Sequence, residues 1–325
     1  MAIPPAYMGF IGYVRVTSAG SIYGIRCDSC ELKLTQTIDK PDVVSSRFDK
    51  TVYRLGPKEV GGTISFPAVM DPSGGTSGSV DLIPQLWLSV ITRDDDGRIP
   101  AAYLLDPVTV KYTSDHATFD FNNCRLNSFK WTVAHSEMIK VELDIMGTSR
   151  ENLGGGGGYL SDAELGGQRN ARALTWNDAF MEIGYDGGSF TGEYVRSFDI
   201  TVMNNCERFY TLNGCLSPQD IAAKLRDLTG SLVIMGRHPG LGQAAEDNES
   251  RCYADGFLHF GYDVSGCAAK WGVKLPGVVY EIETMGLKND LMESTVNWHA
   301  LPGGISTENF VNTNFTVSKS SCNTV

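Results

Sequence analysis

Cysteine is the residue type here with the widest chemistry, since a thiolate can ligate metal, act as a nucleophile or cross-link. The chain carries eight: Cys27, Cys30, Cys124, Cys206, Cys215, Cys252, Cys267 and Cys322. Only Cys27 and Cys30 stand close together, as a single C-x-x-C. A structural zinc site needs a second pair at finger spacing, and His238, His259 and His299 do not complete one. Asp94–Asp96 opens like a calcium loop, but the Gly and Glu of an EF-hand do not follow, so the three acids read as a solvated turn. There is no Gly-x-Ser-x-Gly elbow, no His-Glu-x-x-His and no phosphate loop; Gly154–Gly158 lacks the Lys-Ser/Thr that would follow it into a helix. Glycoside hydrolysis needs only two acids about 5–10 Å apart. Glu142, Asp144, Glu281 and Glu283 sit on alternating strand positions, where a solvated face is the ordinary explanation. These residue types point to no enzyme, no cofactor and no metal.

Composition narrows the function further. In 325 residues, 27 Lys+Arg against 38 Asp+Glu give a formal net charge of −11. Tight nucleic-acid binders neutralise phosphates with clustered cations, so this chain is not one. An acidic surface is nevertheless compatible with DNA that only slides past, because each added cation would hold the backbone. Hydrophobic residues at 42% suffice for a packed core. The longest apolar stretches, such as Leu86–Ile91, are far too short to cross a bilayer as a helix. Met1–Met8 lacks a basic start and a long apolar run, so a cytoplasmic origin with reduced thiols is expected.

The elements that would carry these residues read as mainly β. Leu32, Leu34 and Ile38 alternate with Lys33, Thr35 and Thr37, and Phe198, Ile200 and Val202 alternate with Ser197, Asp199 and Thr201. Phe129–Val133 and Ile139–Ile145 show the same period of two, the mark of antiparallel strands with one buried face. Helices are expected at Asp81–Thr92, with Pro84 in its first turn, and at Pro218–Leu228 behind a Ser217 N-cap. The Gly-rich stretch 151–168 reads as a linker between residues 1–150 and 169–302. Lys58–Phe66 aligns with Arg226–Ile234, and Leu32/Leu34 aligns with Phe198/Ile200 at an offset two residues smaller. Each half then closes with a hairpin-like pair, Phe129–Val133 with Lys140–Ile145 and Val278–Glu283 with Thr295–Leu301. The halves therefore read as two copies of one module, with a second-half helix expected at Asn248–Phe257. Two long excursions, Asp39–Arg54 and Asn204–Ala222, exceed ordinary hairpin loops and suit assembly; Arg47, Tyr53, Arg208 and Tyr210 supply the charge and aromatic groups.

A resemblance sharpens this. Val195–Asn205, Tyr210-Thr-Leu-Asn-Gly214, Ser217-Pro-Gln-Asp-Ile221 and Leu228-Thr-Gly-Ser-Leu232 resemble the tail tube proteins of long-tailed bacteriophages, as do Leu275–Tyr280 and Asn289–Val296. The likeness covers roughly residues 190–302, and is weaker over 25–150. It implies two tandem β-sandwich or barrel modules, each with a flanking helix, whose sheets join around a lumen. It also implies a virion tail protein that assembles with itself, six modules to a ring, with rings stacked into a conduit for DNA; two modules per chain and closed symmetry then give three chains to a ring, or six if the first half is only a decoration. Tape-measure, terminator and baseplate or tip proteins are the implied partners, with no membrane. The lumen would be lined by Lys33, Thr35, Thr37, Glu142 and Asp144 in the first half and Asp199, Thr201, Asn297 and His299 in the second. The excursions, with Arg47, Tyr53, Arg208 and Tyr210, would reach the next ring, and 303–325 would form an arm. Outside the reducing cytoplasm, Cys206, Cys215 and Cys322 are candidates for an inter-subunit disulfide. The alternatives are a terminator or baseplate ring component, or a receptor- or carbohydrate-binding virion protein using Trp87, Trp131, Trp176, Trp271 and Trp298.

Overall fold

A computed structural model describes residues 13–18, 21–25, 27–39, 54–70, 79–90, 107–113, 117–155, 172–185, 188–191, 195–212, 215–236, 256–264, 270–281, 284–288 and 291–300. The expected contacts of Arg47 and Tyr53, the Cys322 thiol, the 303–325 arm and nearly all of the Asn248–Phe257 helix lie outside these residues.

The fold is mainly β and, among the described residues, every strand pairing is antiparallel. The first half contributes β1 (Tyr13–Ser18), β2 (Ser21–Ile25), β3 (Ser29–Cys30), β4 (Lys33–Asp39), β5 (Arg54–Pro67), β6 (Val69–Met70), α1 (Ser79–Val90), β7 (Val108–Thr113), β8 (Ala117–Ala134), β9 (Lys140–Gly147) and β10 (Ser149–Gly155). The second contributes β11 (Arg172–Ala173), β12 (Ala179–Tyr185), β13 (Gly188–Thr191), β14 (Val195–Met203), β15 (Glu207–Phe209), β16 (Asp220–Ala222), β17 (Asp227–Met235), β18 (Phe257–Asp263), β19 (Lys270–Pro276), β20 (Val278–Tyr280), β21 (Thr284–Lys288) and β22 (Leu291–Ala300).

One pairing order recurs. In the first half β2–β1–β7–β8 form one run and β4–β5–β9–β8 another, so the long β8 serves both. In the second half β13–β12–β18–β19 and β14–β17–β22–β20 repeat the two runs. There β19 and β20 together do the work of β8, divided at Gly277, whose φ of 101° sets the bend. The registers match residue for residue. Cys30 pairs with Ile64 as Phe198 pairs with Leu232, and Leu34 with Val60 as Val202 with Leu228. This corrects the offset read from the strand pattern: Leu32 and Leu34 correspond to Ile200 and Val202, and no loop difference separates them from Lys58–Phe66. Gly62 and Gly230 occupy matching places, and a Cβ at either would stand 2.0 Å from the carbonyl oxygen of Glu31 or Asp199 respectively. Those glycines exist because the neighbouring strand comes that close.

The two halves meet at β8 and β14, which pair from Ser128↔Met203 to Ala134↔Ser197. Behind this joint the period of two buries Phe129, Trp131 and Val133 from β8 against Phe198, Ile200 and Val202 from β14. Helix α1 adds Leu82, Ile83, Leu86, Trp87 and Val90. Trp87 and Trp131 reach across to Trp271, with ring centroids 6.0 and 5.2 Å away, and Trp131 lies edge-on to Phe198 at 5.7 Å. Each such ring is worth about 1.5–3 kcal/mol or more by burial, against about 0–1 for an exposed ion pair such as Arg208–Glu59 at 3.9 Å. Burial, not charge pairing, holds the halves together. These tryptophans are core residues, so Trp87, Trp131, Trp271 and Trp298 do not line a sugar cleft.

Helix α1 forms where expected but starts two residues earlier, which puts Pro84 in the second turn. The helix expected at Pro218–Leu228 is not formed: β16 pairs there with β15, and β17 begins at Asp227. Ser217-Pro218 makes the bend into β16 instead of capping a helix, because the backbone of 220–222 finds its partners in 207–209. The lead-in to the second half is stitched to the first, with β11 pairing β6 and Leu174 N–H donating to Ala68 O at 2.8 Å.

Candidate functional site

The face opposite the core is polar and continuous across both halves. One row runs Ser65–Glu142–Lys130–Thr201–Thr229–His299, each residue paired with the next across adjacent strands. A second runs Lys140–Thr132–Asp199–Ser231–Asn297. A third, at the next pleat, holds Thr63, Asp144, Ser128 and Met203. Strand alternation dictates this: the core side chains of β5, β9, β8, β14, β17 and β22 are flanked by these polar ones.

The residues expected to line one surface are thus brought together in part. Glu142, Asp144, Asp199, Thr201, Asn297 and His299 share the face. Lys33 and Thr35 lie at its border on β4, opposite Gly61 and Glu59, and Thr37 falls within a register shift between Gln36 and Ile38. Reading from sequence missed Lys130, Thr132, Thr229, Ser231 and Glu281. Lys130 and Thr132 were visible as the polar members of the Phe129–Val133 alternation; Ser231 and Glu281 needed the register.

Hydrogen bonds fix several of these groups. Ser231 Oγ donates to Asp199, and Asn127 Nδ2 donates to Asp144 at 2.6 Å. Glu281 accepts from Asn297 Nδ2 at 2.9 Å and lies 2.7 Å from His299 Nε2. The Asn297 and His299 bonds hold the Glu281 carboxyl below its usual range. Glu59, Glu142, Asp144, Asp199 and Glu281 outnumber Lys33, Lys130 and Lys140 on this side of the sheet. Among the described residues no group of His, Cys, Asp and Glu is arranged to hold a metal ion, and no helix is long and apolar enough to cross a membrane.

At one end of these strands the Asn204–Ala222 excursion folds back over the first half. Arg208 Nη2 donates to Val60 O at 2.8 Å, Tyr210 Oη to Lys58 O at 3.0 Å, and Lys58 N–H to Leu216 O at 2.7 Å. Arg208 and Tyr210 therefore have partners within their own chain. Among what the excursion leaves outward are three apolar side chains: Phe209 and Leu216 are exposed and Leu212 is fully so, beside the exposed polar Glu207, Thr211 and Gln219. Of the cysteines in it, Cys215 is exposed, whereas burial pushes the Cys206 thiol up to about 11, with Asp144 adding to the shift.

Comparison with known proteins bears on this arrangement. The family described as phage tail tube protein matches residues 8–234, more than half of the chain. No curated protein matches significantly.

Proposed function

Because the chain belongs to the phage tail tube family, structural proteins of the virion tail and not enzymes, we propose that it is the major subunit of the tube, which self-assembles into stacked rings around a channel for DNA ejection. The observation that supports this best is the single polar face spanning β5, β9, β8, β14, β17 and β22. On this reading the face is the lumen wall, with Lys33, Thr35, Thr37, Glu142, Asp144, Asp199, Thr201, Asn297 and His299 along it. Its acidic balance keeps DNA phosphates from binding while they pass.

The repeated pairing order supports two tandem modules, residues 1–150 and 169–302, joined by the Gly-rich 151–168. Three chains would then supply the six modules of a closed ring. Rings stack through the excursions, the second acting through Phe209, Leu212 and Leu216, since Arg208 and Tyr210 are held in-chain; Arg47 and Tyr53 belong to the first. Any disulfide between subunits uses the exposed Cys215, with Cys322, in preference to Cys206. The partners are other copies of the chain and the tail proteins at either end of the tube.

Negative-stain electron microscopy of the purified protein tests this. Hollow rods whose end views show six lobes with threefold modulation are expected. Rods with six whole chains per ring would remove the three-chain ring, single unstacked rings would favour a terminator or baseplate component, and compact sugar-binding particles would overturn the function.

A further inference from the structure

Along residues 27–34 half-buried and exposed positions alternate, except that Asp28 and Ser29 are exposed in succession. Hydrogen bonding explains the break. Asp28 N–H donates to Ser65 O at 2.8 Å, although the register sets Ser29 opposite Ser65. Two residues of one strand thus stand against one of the other, which is a β-bulge. The second half repeats it at the matching place, where the β14–β17 register shifts between Val195 and Ser197. By the correspondence that sets Cys30 with Phe198, Cys27 matches Val195, and it stands opposite Phe66 as Val195 stands opposite Ile234. In an unbroken strand, positions three apart face opposite sides. The bulge turns Cys27 and Cys30 to the same side, and both pack on the buried cluster. They face Phe66 and Ile64 of β5, and two steps of strand span about 6.6 Å. That lies inside the Cα separation a disulfide bridges, about 4.4–6.8 Å. Both are free thiols and only half-buried. In the second half the same bulge holds Val195 and Phe198, so its backbone does not need sulfur.

We propose that Cys27 and Cys30 are a redox modification site: the pair closes into a disulfide within the chain on meeting a small-molecule disulfide of the glutathione class. Burial raises the pKa of both thiols; Cys30 and Asp28 add to the rise at Cys27, whereas the Leu32 N–H opposes it at Cys30. Cys30 is therefore the attacking sulfur. Its thiolate attacks one sulfur of the small disulfide, forming a mixed disulfide and expelling the other half as a thiolate, which takes up the Cys30 proton. Cys27 then attacks Cys30 Sγ and expels the second small thiol, which leaves with the Cys27 proton. Two protein thiols are oxidised, and one small disulfide is reduced to two thiols. A tail protein leaves the reducing cytoplasm with the virion, which is when the pair meets oxidant. The closed pair fixes the bulge, and with it the register of β3 and β4 along β5, because losing the bulge would turn Cys27 to the other face. This goes beyond the tube-subunit reading and does not depend on how many chains make a ring.

Oxidised glutathione added to the full chain at mildly alkaline pH, followed by tryptic mapping without reductant, tests this. Peptide 27–33 should be recovered lighter by two hydrogen atoms and carrying no glutathione. Cys27→Val, which installs the residue type that Val195 supplies in the second half, should instead hold glutathione on Cys30 as a stable adduct. A wild-type peptide that stays reduced while the exposed Cys215 is modified would overturn the inference. So would a wild-type peptide that keeps glutathione on Cys30 as the variant does. The wild-type map decides the matter even where the variant does not fold. Either adverse result leaves the tube reading standing, since the rods seen by electron microscopy test that separately.

Discussion

Asn204 shows how much one buried amide can connect. Its side chain is buried and its Nδ2 donates at 3.0 Å to Val90 O, the end of α1, and at 3.0 Å to Leu126 O. A second-half residue therefore supplies a partner that the last turn of a first-half helix cannot find within itself. Asn204→Ala should cost about 1–3 kcal/mol in urea unfolding, because two carbonyls are left buried and unpaired. Gly230 is constrained by space: a Cβ would stand 2.5 Å from the Trp298 ring as well as against the Asp199 carbonyl. Gly230→Ala should cost about 1–3 kcal/mol by overpacking, read as a lower unfolding midpoint. The glycine was legible in the sequence, because its place in the Lys58–Phe66 and Arg226–Ile234 match set it apart. Asn204 was not, since nothing in the string Met203-Asn-Asn205 tells which amide turns inward.

Among the elements, the strands with strict alternation were legible and the irregular ones were not. β9, β14 and β22 could be read because each buries every second residue over several pleats. β15 and β16 are three residues long and exist only through each other, so Ser217-Pro218 looked like a helix start. The β18–β12 pair offers a pH test. Burial pushes the His259 imidazole below its ordinary value, a shift that Glu182, 3.7 Å away, opposes. A base with a depressed folded-state pKa binds its proton more readily when unfolded. Stability should then be full above about pH 6.5 and decline as pH falls below it. His259→Asn should flatten that decline in unfolding curves taken from pH 7 to 5; an unchanged slope would show that other groups carry it.

At the scale of the molecule, the polar face emerges only from register, which no single strand's pattern contains. The alternation marks one polar side of each strand, but which strands stand side by side depends on β8 meeting β14, whose paired residues lie 63 to 75 positions apart in the chain. If the face lines a channel, its charge sets how DNA moves. Glu142→Lys should leave the fold intact, since its side chain is exposed, and make assembled tubes retain DNA in a salt-dependent way in a filter-binding assay.

The joint between β8 and β14 also has a consequence for mass action. Two sheets that must meet are tethered in one chain, so their encounter is intramolecular and independent of protein concentration. A six-module ring built from three such chains needs three free bodies to collide where single modules would need six. Its formation rises far less steeply with concentration, and assembly can begin while the subunit is still scarce.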